Sequence, residues 1–216
     1  MIARFYTLLS IFALIVACIT AVPFPVDDPS QGQPAACTTT YSEIQACASN
    51  LCQYVSDFMN CTAALGYINE AIPLYNLTTK PLRAVFISNI IYQTTFFREY
   101  DKRTEQPSRA GPFMLTNDQT KLFVDSNQTL INLADTYVKS GSATPYLDFI
   151  LNMKNFGIDA AAWWTIHGPG CVESFQALDG SWMTFKAWAE ACIGTGSGSV
   201  LYLQSMHYST VMNSIH

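Results

Sequence analysis

One helical stripe in this chain places a side-chain amide where chemistry would call for an acid. Leu82, Phe86, Ile90, Gln93 and Phe97 follow one another at steps of four, four, three and four, so an α-helix sets all five on one narrow face. The stripe is apolar except at Gln93. Just beyond it come Phe96, Phe97, Arg98, Glu99 and Tyr100, a run of rings and ionisable heads. Aromatic faces stack on sugar rings, and amide or charged side chains give the sugar hydroxyls directional partners, so this cluster has the chemistry of a glycan cleft. Cleaving a glycan further needs a carboxyl to protonate the leaving oxygen, which an amide cannot do. The competing account of Gln93 is a buried amide satisfied by backbone groups.

Two carboxyls lie close enough in sequence to stand in for that acid. Glu99 comes six residues after Gln93, well around the helix, and Glu105 falls in a charged loop with Asp101. Beside Arg98, Lys102 and Arg103 they read equally well as solvated ion pairs. Phe97, Tyr100, Phe113 and Trp163 are the candidate ligand-binding rings. Phe113 belongs to Gly111–Thr116, a turn running into a helix that Thr116 can cap. Trp163 and Trp164 are adjacent on a helix and point about 100° apart, so at most one faces a cleft. Three of the four tryptophans are expected in the core. The three histidines, His167, His207 and His216, have no Ser or Cys nucleophile motif beside them, which argues against a catalytic triad. Gly194, Gly196 and Gly198 lack the strand and lysine of a phosphate loop, and no cofactor is expected.

The elements that would carry these groups are helical. Thr79 with Pro81 is a cap and first-turn signature that opens a long helix to about Tyr100. Shorter helices are predicted upstream, from Thr40 or Ser42 to about Ala48 and over 51–60. Residues 101–111, with Pro107, form a loop. Further helices are predicted from Thr116–Asn117 to Phe123, over 129–138, and over 146–155 behind Thr144–Pro145 with Gly157 as the stop. Asp159 is expected to cap 160–167, and Ser181 to open a helix through Cys192. A glycine hinge then precedes a last helix over about 200–212. No alternating strand pattern, hairpin turn or internal repeat is visible. The fold class is all-α, a disulfide-stapled domain with a buried helix at its centre.

Composition sets the surroundings. Residues 1–21 carry a single charge, Arg4, then an apolar run from Phe5 to Ile19 and the small Ala21, the layout of a secretory signal peptide. Pro23 and Pro25 follow with no basic stop-transfer cluster, which argues against a membrane anchor. Residues 22–36 read as a flexible leader or short propeptide, and 37–216 as one domain. Beyond the signal, 16 acidic residues outnumber the basic ones, so a nucleic-acid partner is not expected. Cys37, Cys47, Cys52, Cys61, Cys171 and Cys192 remain, an even set that predicts three disulfides in a secreted chain. Cys171 and Cys192 are near each other and far from the rest, which favours their pairing. Cys37–Cys52 with Cys47–Cys61 is the preferred arrangement of the others. Their spacing lacks a Cys-x-x-Cys and a nearby histidine, so a metal site is not expected. Asn60, Asn76 and Asn127 each head an Asn-x-Thr sequon and are candidate glycosylation sites.

Four segments carry a family likeness: Tyr92-Gln93-Thr94 with Phe97-Arg98; Arg109-Ala110-Gly111-Pro112-Phe113-Met114; Ala161-Ala162-Trp163-Trp164 with Cys171; and Trp188-Ala189-Glu190-Ala191-Cys192-Ile193-Gly194-Thr195. Together they resemble a group of fungal secreted proteins with a lysozyme-like fold, over roughly half the chain, about residues 80–196. The resemblance implies a helical glycan-binding fold in which an aromatic-Glu-Ser/Thr step supplies the general acid. Here Gln93 stands at that Glu. The expectation is therefore a secreted protein that binds a cell-wall polysaccharide, chitin or peptidoglycan, with weak or lost hydrolysis. The alternatives are an active glycoside hydrolase using Glu99 and Glu105, or a secreted effector that binds a protein partner and no glycan.

Overall fold

A computed structural model of the protein describes residues 61–94, 108–137, 141–194 and 198–215, which all fall within one compact unit, 33–216. Among these residues the chain is mostly helical. The first helix, α1 (Cys61–Leu74), is not among those expected from the sequence, and it contains Gly66 and Pro73. Both sit on its exposed side, while Ala64, Ile68, Ala71 and Ile72 recur at helical spacing and are buried. Asn76 then takes a left-handed conformation, φ 54°, and the Leu77 N–H donates to the Ile72 carbonyl at 2.8 Å, which closes the helix end.

The second helix, α2 (Lys80–Gln93), opens as predicted. Thr79 is its N-cap, accepting from the Leu82 N–H at 3.4 Å, and Pro81 sits in the first turn. Every residue from Leu82 to Ile91 is buried, so this is the buried helix at the heart of the domain. Burial on all sides explains why its amphipathic signal is faint, and it takes the polar Arg83, Ser88 and Asn89 into the interior along with the apolar residues. It ends at Gln93, short of the predicted Tyr100. Thr94 leaves helical geometry as the C-cap, and its hydroxyl donates to the Ile90 carbonyl at 2.7 Å.

A small ribbon follows. Strand β1 (Arg109–Ala110) pairs antiparallel with β2 (Leu115–Thr116), Arg109 opposite Thr116 and Ala110 opposite Leu115. No hairpin was expected here, since strands of two residues are too short to show alternation. Its turn is tightly built. Gly111 has φ +80° and a Cβ there would lie 2.8 Å from Ile150 Cδ1, while Met114, a buried non-glycine residue, has φ 50°.

Four helices come next: α3 (Asn117–Asp125), α4 (Gln128–Tyr137), α5 (Pro145–Asn152) and α6 (Lys154–His167). Thr116 caps α3 in a full capping box with Gln119, as its position predicted. Gly157 does not stop a helix and Asp159 does not cap one. Both lie inside α6, where buried Gly157, Ile158, Ala160, Ala161 and Ala162 let neighbouring helices approach closely. Tertiary packing outweighs the local cost of that glycine.

The carboxy-terminal part comprises α7 (Cys171–Gln176), α8 (Trp182–Trp188), a π-helical turn (Ala189–Ile193) and α9 (Gly198–Ser214). The helix expected from Ser181 through Cys192 thus changes winding at Ala189. Ser181 does cap it, accepting from the Thr184 N–H at 3.3 Å. Cys171 and Cys192 form the expected disulfide, joining α7 to the π turn. Around it, the Trp164 indole donates to the Cys192 carbonyl at 3.2 Å and the Trp188 indole to the Thr165 carbonyl at 3.3 Å. Helix α9 packs along α2, where the buried Gln204 amide donates to Asn89 Oδ1 at 3.5 Å. No described helix is long and apolar enough to cross a membrane.

Gly170 holds the close approach beneath the disulfide. Its φ is +82°, and a Cβ there would lie 2.3 Å from the Ala191 carbonyl oxygen. Gly170→Ala is therefore expected to destabilise the fold by about 2 kcal/mol through left-handed strain and overpacking. A thermal melt checks this, and a wild-type melting temperature would refute it.

Candidate functional site

Gln93 is the last residue of the sealed helix and is half-buried, with the fully buried Thr94 next in the chain. The ten residues before Tyr92 are buried, whereas Tyr92 and Gln93 are half-buried. The two side chains leave α2 in different directions. Tyr92 shares a face with Asn89 and turns to α9, its ring centroid 6.2 Å from that of His207. Burial holds the His207 imidazole below its ordinary range, favouring the neutral ring. Gln93 continues the stripe of Phe86 and Ile90 instead. Phe86 on that stripe meets Phe113 of the ribbon turn at 6.3 Å, so the stripe runs along the ribbon side of the helix.

The other candidate residues fall in three places. Phe113 is only 4% exposed, and contact with a ligand would require the turn to open. Trp163 is half-buried on α6, with ring centroids 6.1 Å from Phe123 and 5.4 Å from His167, while Trp164 is buried against the disulfide. That is the division expected of adjacent helical residues. Of the four tryptophans two, not three, are fully in the core, because Trp182 lies 44% exposed over Phe185. Phe97, Glu99, Tyr100 and Glu105 lie outside the described residues. So do Cys37, Cys47, Cys52 and the sequon at Asn60, and with them the preferred pairings Cys37–Cys52 and Cys47–Cys61. Asn76 is exposed in its left-handed turn. Asn127 is half-buried, its side chain accepting from the Thr129 N–H at 2.7 Å.

One constellation was not foreseen. Asp159, in the middle of α6, turns toward α1, where burial first and the charge of Glu70 second push its carboxyl up to about 7. The phenol of Tyr75, just past the end of α1, is in turn pushed up by burial and by the charge of Asp159. Its hydroxyl is shielded from water and has no hydrogen-bond partner. From Asp159, steps of four along α6 lead to Trp163 and His167. That i, i+4, i+8 pattern was the available signal, hidden by reading Asp159 as a cap. Among the described residues no group of three or more His, Cys, Asp or Glu is placed to hold a metal ion.

Fold and site together define a mostly helical domain, stapled by Cys171–Cys192, with a half-buried amide at the last residue of its buried helix. No family model matches the chain, and no curated protein or solved structure is significantly similar to it.

Proposed function

We propose that the protein is a secreted, lysozyme-like binder of cell-wall polysaccharide, chitin or peptidoglycan, whose hydrolytic power is weak or lost because Gln93 stands in place of the acid. The observation that carries this reading is the exposure change along α2: a helix closed to solvent for ten residues opens at Tyr92 and Gln93. A side chain entombed in the core could not meet a ligand, and Gln93 is not entombed. The helix is followed in sequence by a short β-ribbon whose turn touches the same helical stripe at Phe86. Secretion is part of the reading, supported by the amino-terminal apolar run and by a disulfide.

The amide can orient a sugar hydroxyl but cannot protonate a leaving oxygen. Wild-type protein is therefore expected to sediment with chitin or peptidoglycan and to release little sugar. Gln93→Glu should raise cleavage by about 10²-fold, the usual contribution of a positioned general acid. Brisk cleavage by the wild type, or no gain in a variant that still binds polymer, would overturn the assignment of Gln93.

A protein partner is favoured by a different observation. Tyr202, Leu203 and Met206 stand 48–63% exposed on neighbouring turns of α9. Failure to sediment with either polymer would favour that second reading.

A further inference from the structure

The sequons at Asn76 and Asn127 have no part in the polysaccharide-binding reading, and the fold puts them in different surroundings. Asn127 is half-buried, and its side-chain oxygen accepts from the Thr129 N–H at 2.7 Å at the start of α4, so the fold itself employs that amide. Asn76 stands exposed between α1 and α2, with exposed Pro73 before it and exposed Thr78, Thr79 and Lys80 after it. Its backbone is pinned. The Asn76 N–H donates to the Pro73 carbonyl at 3.1 Å and the Leu77 N–H to the Ile72 carbonyl at 2.8 Å, while the Leu77 side chain is fully buried. The side chains on either side of Leu77 are free: among the described residues neither the Asn76 amide nor the Thr78 hydroxyl enters a hydrogen bond.

A left-handed turn accounts for Asn76 by itself, since asparagine tolerates φ 54° better than most residues. It does not call for Thr78, which caps nothing, because Thr79 is the N-cap of α2. An N-glycosylating transferase reads Asn-x-Thr with x other than proline, and Leu77 meets that condition. The transferred oligosaccharide is bulky and polar and must stay in water once the chain has folded, which this corner allows. We infer that Asn76 is a glycan attachment site: its Nδ2 bonds to C1 of the first sugar as the C1–O bond to a polyprenyl diphosphate carrier breaks, the amide giving up one proton and the diphosphate leaving with the bonding electrons. The inference rests on the secretory part of the reading above. Helix α2, 14 residues or about 20 Å long, separates this corner from Gln93 at its other end.

The test changes Thr78 and leaves Asn76 in place, because few other residues would hold its left-handed turn. The full chain, its Thr78→Ala variant and its Thr78→Ser variant are expressed in a eukaryotic cell, collected from the medium and treated with peptide-N-glycosidase. That enzyme leaves aspartate at each asparagine that carried a glycan, so peptide mass spectrometry reads position 76 separately from Asn60 and Asn127. Wild type and Thr78→Ser should show aspartate at 76. Thr78→Ala should lose the conversion there alone and, before treatment, run lighter by one glycan. Secreted wild type with unconverted Asn76 would overturn the site and leave the secretory reading standing. Conversion at 76 that persists in Thr78→Ala would also overturn it, since the hydroxyl is what the transferase requires. A wild-type chain held inside the cell with all three sequons unmodified would sink both together.

Discussion

Between about pH 4 and pH 7 the folded protein is expected to lose up to about 4 kcal/mol of stability through one side chain, Asp159. Its carboxyl is pushed from the ordinary 3.8 to about 7 in the fold, by burial and by the charge of Glu70. Below 3.8 the group is protonated folded and unfolded alike, and nothing is lost. As pH rises the unfolded chain ionises first, so stability falls by about 1.4 kcal/mol per pH unit until the folded carboxyl also ionises near 7. Above that the loss is complete and constant. Partial water access makes the full figure an upper bound, and about 2 kcal/mol would still be easily measured.

Asp159→Asn removes the ionisation while keeping the shape. The variant should match wild type near pH 4 and exceed it at pH 8. His167 and His207 act in the opposite sense, since burial lowers both and favours their neutral forms, so they weaken the fold as pH drops below their ordinary 6.5. They are common to both proteins, so the difference between the two denaturation curves isolates Asp159. Parallel curves from pH 4 to 8 would show that the carboxyl is not held neutral.

Removing the Cys171–Cys192 bridge, as Cys171→Ala with Cys192→Ala, should cost about 3 kcal/mol, the loop-closure value for a separation of 21 residues. For a domain of this size that is a drop on the order of 10 °C in melting temperature. Alanine avoids leaving serine hydroxyls in a site where Cys171 is fully buried and Cys192 5% exposed. A local signature accompanies the loss. The bridge holds the Cys192 carbonyl against the Trp164 indole, so tryptophan emission should shift to the red as that bond loosens. Unchanged melting and emission would mean that the surrounding indole contacts hold this corner without the bridge.

Much of the helical layout was legible because it is written in short-range chemistry. Thr79, Thr116 and Ser181 each satisfy backbone N–H groups within three residues, and such bonds depend on local order alone. The Cys171–Cys192 pairing was legible from proximity for the same reason. The long apolar stripe through Phe86 and Ile90 announced a buried helix. Only the packed structure showed that Leu82–Ile91 is closed on every side and that the chain opens again at Gln93.

Two of the errors share one cause. Gly157 reads as a stop and Asp159 as a cap when only neighbours in sequence are weighed. Packing with the buried alanines of α6 carries the helix straight through both. The ribbon at 109–116 escaped because two-residue strands have no period, and the π turn at 189–193 because a change of winding leaves no composition signature. By itself the sequence determined the helix starts at Thr79, Thr116 and Ser181, the stapled pair, and the amide at the end of the central stripe. The tertiary structure alone decided that Tyr75 and Asp159 come within electrostatic reach of each other. Tyr75 lies just past α1 and Asp159 within α6, far apart in the chain, and the burial that shields one and neutralises the other exists only once those helices have packed.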